Sequence, residues 1–379
     1  MWNENWRMSV KRCRLLIMRL RITRLFEQVF DRSREYMEIG SEFWEADSLT
    51  GRKKYFLSGR TALEYIIRDI LENYRIESVL LPGYCCHTMI EPFSKHDISV
   101  RFYDVFYDKS RGLCADIPER QNNEIFYYMT YFGFSNIAGV NMNEIRKAYD
   151  VIIEDKTHSW LEKGLENFAD YTYASYRKWT GFYGIAEANK RVGHFKPREG
   201  GIGETYSKMR KTAMFMKKRY IETGTDNKEL FLARFDEAEA FLEKDYVGYI
   251  PTEECLLQLV NTDFEFIKRR RRRNADILLW GLSGMHSCTL LHKSRNEDDT
   301  PLFVPILVNG NRDALRKYLI DNQVYCPVHW PLSDYHRGLS ERGKIIYEEE
   351  LSLICDQRYR EEDMEKVVKL IRDYFNERI

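Results

Sequence analysis

Between about residues 55 and 185 the chain alternates short β-rich runs with helical patterns, and few folds accommodate that order. The strand-like runs are Ser78–Leu81, Ile98–Asp104, Glu124–Tyr131, Val151–Ile153 and Tyr171–Ser175. Several carry apolar or aromatic residues on both faces, so each side of the strand needs cover. Thr61–Asn73 places Leu63, Ile66, Ile67, Ile70 and Leu71 at helical spacing, with Thr61 and Glu64 set for a capping box. Strands covered on both faces and separated by helices predict an α/β fold. Its mostly parallel sheet would be sandwiched by helices.

The rest of the chain reads as helices and a second, smaller α/β unit. Residues 204–245 are helical and charged, with Met209, Met214, Met216, Phe231, Phe235 and Phe241 as core anchors. Pro301–Asn309 reads as a strand, Arg312–Asn322 as a helix, Val324–Val328 as a strand and Glu361–Phe375 as an amphipathic helix. The expected organisation is a basic arm over residues 1–35, a large domain over 36–245 and a smaller C-terminal domain over 246–379.

Composition narrows the function classes. The 379 residues are 44% hydrophobic and 14% aromatic, enough for a sizeable core and too much for a disordered chain. Apolar runs such as Leu302–Val308 are far short of the roughly 20 residues that span a bilayer, so no integral membrane segment is expected. Residues 1–34 hold nine Lys and Arg against three Asp and Glu, leaving 50 basic against 56 acidic residues in the remainder. A mildly acidic body does not suit nucleic acid. Nor does the basic run Lys268–Arg273, which on a helix would wrap every face. The Trp6–Leu25 window, with seven basic residues and no acid, reads either as a solvated arm or as a basic amphipathic helix. The eight cysteines include no CxxC pair and no secretion signal precedes them, so reduced thiols in a cytoplasmic protein are expected. The histidines show no HExxH or paired spacing, so no metal is expected. The glycine-rich Gly200–Thr205 lacks the ending of a phosphate loop.

Three segments carry chemistry. In Leu57–Leu63 a glycine turn feeds a helix, whose free amides and dipole favour a phosphate; an ordinary capped helix reads the same way. In Val151–His158 an apolar strand ends in acids, and ligands of open α/β sheets bind beyond such strand ends. An acid there can hold a protonated ring nitrogen and a histidine a ring oxygen; a solvated loop is the alternative. In Tyr173–Trp179 a lysine follows a strand, three residues after a serine. Burial and the neighbouring Arg177 would lower its pKa and free its amine, as a Schiff-base lysine requires.

In this order the three segments resemble the fold-type I pyridoxal-phosphate enzymes, and among them the DegT-type sugar aminotransferases. SGRTAL, LLPGYCCHTMIEPF at Leu80–Phe93, YFGF at Tyr131–Phe134, IIEDKTH and ASYRKW are similar to that family's segments. So are PILVNGNRDALRKYLIDNQVYCPVHWP and LSLICDQRYREEDMEKVVKLI, and the likeness runs from about Ile39 to the C-terminus. The resemblance implies pyridoxal 5'-phosphate as cofactor, with Lys178 as the catalytic lysine and Asp155 on the ring nitrogen. His158 would meet the ring oxygen. Gly59, Arg60, Thr61 and Ser175 would hold the phosphate, and Cys86 stands where the family commonly stacks an aromatic ring. It also implies a homodimer, an amino-acid donor such as glutamate and a nucleotide-linked keto sugar as acceptor, in polysaccharide or glycan synthesis. The sequence departs from the pattern at Cys86, which cannot stack, and at Thr157, which replaces an alanine. It departs again at Gly181–Gly184, a rough match to a glycine-rich stretch, and in a shortened approach to the lysine. A lyase, dehydratase or desulfurase of the same fold, or a non-catalytic binding relative, are the alternative readings.

Overall fold

The computed structural model describes residues 52–376 except Asn136, residues 163–167 and Asp226. The basic arm therefore lies outside the described residues. Eight strands form the large sheet: β1 (Lys53–Phe56), β2 (Ser78–Pro82), β3 (Ser99–Asp108), β4 (Gly112–Asp116), β5 (Glu124–Met129), β6 (Ile152–Asp155), β7 (Tyr171–Ser175) and β8 (Ala186–Lys190). Their order is β1-β8-β7-β6-β5-β2-β3-β4. The five strands from β7 to β3 run parallel, while β1, β8 and β4 close the two edges antiparallel. All five predicted strands are present. The chain leaves β2 toward β3 on one side and returns to β5 on the other, so the order reverses at the carboxyl ends of β2 and β5. In open α/β sheets such a reversal opens a crevice for ligands. The register places Asp155 beside Met129 of β5 and Tyr173 of β7, which brings the candidate segments to that end.

Helix α1 (Gly59–Leu71) packs on β7 and β8. Its cap differs from the predicted one. Ser58, not Thr61, is the N-cap: its Oγ accepts from the Thr61 amide at 3.2 Å and pairs with the Thr61 hydroxyl at 2.9 Å. β1 ends at Phe56, so the helix starts two residues earlier than expected, and Glu64 is left to pair with Arg68 at 3.1 Å. A Ser58→Ala protein is expected to lose about 1 kcal/mol, measurable as a lowered urea midpoint at unchanged slope.

Helices α2 (His87–Lys95) and α3 (Met142–Ala148) complete the first half. The predicted helical stretch over 204–245 is two helices, α4 (Glu204–Thr223) and α5 (Lys228–Lys244), parted by Gly224 in the left-handed region and capped by Asn227. Of the six expected anchors only Phe231 is buried; Tyr206, Ala213, Ala238 and Leu242 supply most of the seam. Helix α6 (Glu253–Val260) returns to the large sheet, its Cys255 packed with Ala174, Tyr176 and Ile185.

Helix α7 (Phe264–Gly281) leads into a three-stranded antiparallel sheet of β9 (Cys288–Leu290), β10 (Phe303–Val308) and β11 (Glu350–Ile354), ordered β11-β10-β9. Helices α8 (Arg312–Asp321), α9 (Glu341–Glu349) and α10 (Glu361–Phe375) accompany it, and α9 packs on β3. The expected strand Val324–Val328 joins neither sheet. Pro327 gives the segment no amide, and its carbonyl accepts a bond from the Ser352 amide at 3.0 Å. Seven cysteines are described, all free, with only Cys86 less than fully buried. No described helix is long and apolar enough to cross a membrane.

Candidate active site at the carboxyl ends of the parallel strands

Asp155 ends β6 and is buried. Its Oδ2 accepts from the hydroxyls of Tyr127 at 2.9 Å and Tyr173 at 2.8 Å, and its Oδ1 from the Thr157 amide at 2.7 Å. Burial pushes its pKa up, and these hydrogen bonds oppose that rise. The Thr157 side chain hydrogen-bonds the carboxylate as well, so a cationic ring N–H would share or replace one of these bonds. Tyr127 and Tyr173 belong to the site and were missed from sequence, where they read as strand aromatics. The one available signal was register, since Tyr173 pairs with Asp155 across the ladder.

Thr157 explains its departure from alanine. Its amide donates to Asp155, its Oγ1 accepts from the Ser175 amide at 3.2 Å and its carbonyl accepts from Trp179 Nε1 at 2.8 Å. These bonds tie the acid to the lysine turn. Lys178 closes a single 3₁₀ turn, Tyr176–Lys178, after β7. Buried Tyr176, bonded to Glu187, and buried Trp179 anchor the turn on either side, while Lys178 itself stays accessible. Crowding by surrounding protein lowers its pKa, and Arg177 lowers it further.

His158 is buried, and its Nδ1 accepts from the Phe132 amide at 3.3 Å. A neutral imidazole that accepts at Nδ1 carries its proton on Nε2 as a donor. Burial first, and then Lys178, hold its pKa down at about 3, so the ring stays neutral. Trp330 stacks on it at 5.4 Å between ring centres and His329 stands edge-on at 5.6 Å. His329 is itself fixed, Nδ1 to Ser352 Oγ at 2.8 Å and its amide to Glu350 at 2.7 Å. Sequence spacing gave no hint of His329 or Trp330, which come from the second sheet's side.

The helix start meets the lysine strand closely. A Cβ on Gly59 would lie 3.1 Å from Ser175 Cβ, so glycine is what permits this approach. Ser175 Oγ is buried without a hydrogen-bond partner beside the amides of the first helical turn. That orphaned hydroxyl fits a phosphate oxygen. The Thr61 amide is committed to Ser58, and the Arg60 side chain to Glu91 at 3.4 Å and the face of Tyr246. A phosphate held here would draw on the amides of Gly59 and Arg60 with the Ser175 hydroxyl. Cys86 caps α2, its Sγ accepting from Thr88 Oγ1 at 3.3 Å and lying 3.9 Å from His87 Nδ1. Burial raises the thiol's pKa, but the bonds from His87 and Thr88 outweigh it and hold the group at about 7. Its charge reaches Lys178.

Solved structures share this architecture at low sequence identity. Spr1654 from Streptococcus pneumoniae, described as a sugar aminotransferase and solved in its PLP form, aligns over 85% of this chain and 86% of its own, at 15% identity and TM-score 0.58. CalS13 from Micromonospora echinospora, a sugar aminotransferase, aligns over 85% and 87% at 15% identity and TM-score 0.56. The fold is that of the sugar aminotransferases. DesV from S. venezuelae, solved with a ketimine intermediate, aligns over 86% and 85% at 14% identity and TM-score 0.57. No family model and no curated protein matches the sequence. The resemblance of the seven segments is thus matched by the arrangement of the strands that carry them.

Proposed function

We propose that the protein is a pyridoxal-phosphate-dependent aminotransferase that moves an amino group from an amino acid such as glutamate to a nucleotide-linked keto sugar. It would serve polysaccharide or related glycan synthesis in the cytoplasm, as a homodimer. The observation that carries this reading is the convergence of Lys178, Asp155 and neutral His158 at one end of the sheet, next to an unpartnered Ser175 hydroxyl. When bound, pyridoxal phosphate supplies an electron-accepting ring that stabilises negative charge at the substrate carbon. Asp155, held by two tyrosines, would keep the ring nitrogen protonated. His158 would donate from Nε2 to the ring oxygen. Gly59, Arg60 and Ser175 would hold the phosphate. Lys178, its pKa lowered, takes and returns the proton of the substrate carbon. Likeness to proteins described as sugar aminotransferases supports the acceptor class.

The test is the near-visible spectrum with added cofactor, then borohydride reduction and peptide mapping. A band that shifts with glutamate before reduction, and cofactor trapped on Lys178 when a glutamate-free sample is reduced, are the expected results. Cofactor that washes away freely would leave a binding module with this fold. Cys86, with a pKa of about 7 and its charge reaching Lys178, favours sulfur chemistry as a second reading. Sulfide released from cysteine, with no keto acid formed from glutamate, would select it.

A further inference from the structure

A second polar cluster adjoins Lys178 and has no part in the cofactor site described above. Arg177 precedes the lysine; Tyr206 and Arg210 come from α4 and Glu239 from α5. Glu239 Oε1 accepts from Arg177 Nη1 at 2.8 Å, Arg210 Nη1 at 3.1 Å and Tyr206 Oη at 3.1 Å. Arg177 also donates to Tyr206 Oη. Three donors from two segments thus converge on a single carboxylate oxygen.

Neither arginine makes the two-pronged contact with this carboxylate that a guanidinium favours. The Nε atoms of both are buried with no acceptor, and within the cluster two guanidinium charges face one carboxylate. The two arginine side chains are mostly buried, at 16% and 17% exposure, whereas Glu239 is 42% exposed. Of the charged members, Glu239 is the one that can swing into water at little desolvation cost. Burial opposes its ionisation, but Arg177 and then Arg210 hold its pKa at about 2, so it is a full carboxylate at neutral pH. Arg177, Arg210 and Glu239 all act electrostatically on the Lys178 amine, which places the cluster at the reacting end of the site.

We propose that Arg177 and Arg210 form an anion subsite in which Glu239 is a resident placeholder, displaced when a carboxylate of the amino-acid substrate arrives. An α-amino acid reacting at Lys178 carries a carboxylate one bond from its reacting carbon, so such a group must lie near this turn. Glu239 Oε1 marks where one carboxylate oxygen sits. Swinging the placeholder into water and admitting a substrate acid keeps one carboxylate against the two arginines in both states, so the exchange leaves no additional buried charge unmet. The proposal rests on Lys178 being the reacting amine. It adds which residues recognise the amino donor.

The test is calorimetric titration of the protein with added pyridoxal phosphate. The probes are glutarate, a dicarboxylate with no amino group to react, and inorganic phosphate. Glutarate is expected to bind about 10-fold more tightly to a Glu239→Gln protein, which keeps the shape but not the competing charge, and about 10-fold more weakly to Arg210→Gln. Arg210→Lys, which keeps the charge without the fork, should fall between them. Unchanged glutarate affinity in Glu239→Gln overturns the proposal and leaves a structural ion pair; this exposed position carries the test if the arginine variants do not fold. Phosphate binding more tightly than glutarate, with cofactor retention lost in Arg210→Gln, also overturns it and assigns the pair to the cofactor phosphate. Borohydride trapping on Lys178, scored separately, separates the two failures. Trapping without any glutarate effect removes only the placeholder, whereas glutarate binding without trapping removes the aminotransferase and keeps the anion subsite.

Discussion

A Lys178→Ala protein is expected to show no borohydride-trapped cofactor and to lose turnover by about 10⁴-fold, the upper end of what a positioned acid–base group contributes. The size follows from the site, which places no second amine in the same position: the fixed turn Tyr176–Lys178 offers Arg177 as its other cation, and Arg177 is bound to Glu239. Protonation strengthens the case. Desolvation by the crowding protein, then Arg177, lowers the Lys178 pKa below its ordinary 10.5, so more of the amine is neutral at a given pH. The same shift fixes the sign of the stability effect. Between the folded and unfolded pKa values the unfolded chain binds more protons, so wild-type stability rises with pH through that window. Below it the charged amine disfavours folding. The alanine protein lacks that penalty and should be no less stable than wild type at pH 7. Parallel urea melts check this; a large drop in the midpoint would mean the lost turnover reports unfolding rather than chemistry.

The parallel strands, and the positions of Asp155 and Lys178 at their ends, were legible because each follows from a local pattern. An apolar run ending in acid gives β6 and Asp155, and a serine–lysine pair after a strand gives the turn at Lys178. What was not legible depends on contacts far apart in sequence. β1 and β8 are short and polar, KKYF and AEANK, and become strands only by pairing with each other and with β7. Tyr127 and Tyr173 look like any buried strand aromatics until register sets both hydroxyls on Asp155. Glu239 lies 61 residues beyond Lys178 on a helix whose other carboxylates face solvent, and nothing local marks it. The cap at Ser58 was misplaced for the opposite reason: Thr61 and Glu64 fit a local rule, but the end of β1 decided where the helix begins.

The basic run Lys268–Arg273 gives the second large effect and shows why composition misleads. Arg271 is buried, at 2% exposure. Its Nη1 donates to the carbonyls of Leu302 at 2.9 Å and Pro301 at 3.4 Å, its Nη2 to that of Trp179 at 3.1 Å and its Nε to Gln357 Oε1 at 2.9 Å. These bonds tie α7 to the entry of β10 and to the residue after Lys178. An Arg271→Ala protein leaves buried carbonyls without that donor and is expected to lose about 3–5 kcal/mol in urea melts. Because the Trp179 carbonyl is one of them, cofactor trapping on Lys178 should weaken too; Gln357 Nε2, still 2.9 Å from that carbonyl, keeps the turn from coming free altogether. Arg273→Ala is the matched control. Two positions on, about 200° around the helix, Arg273 is exposed and meets Glu361 at 2.7 Å. Losing that surface pair should cost about 0–1 kcal/mol. Equal effects at the two positions would mean that the charge of the run, not the burial of one member, holds α7 in place.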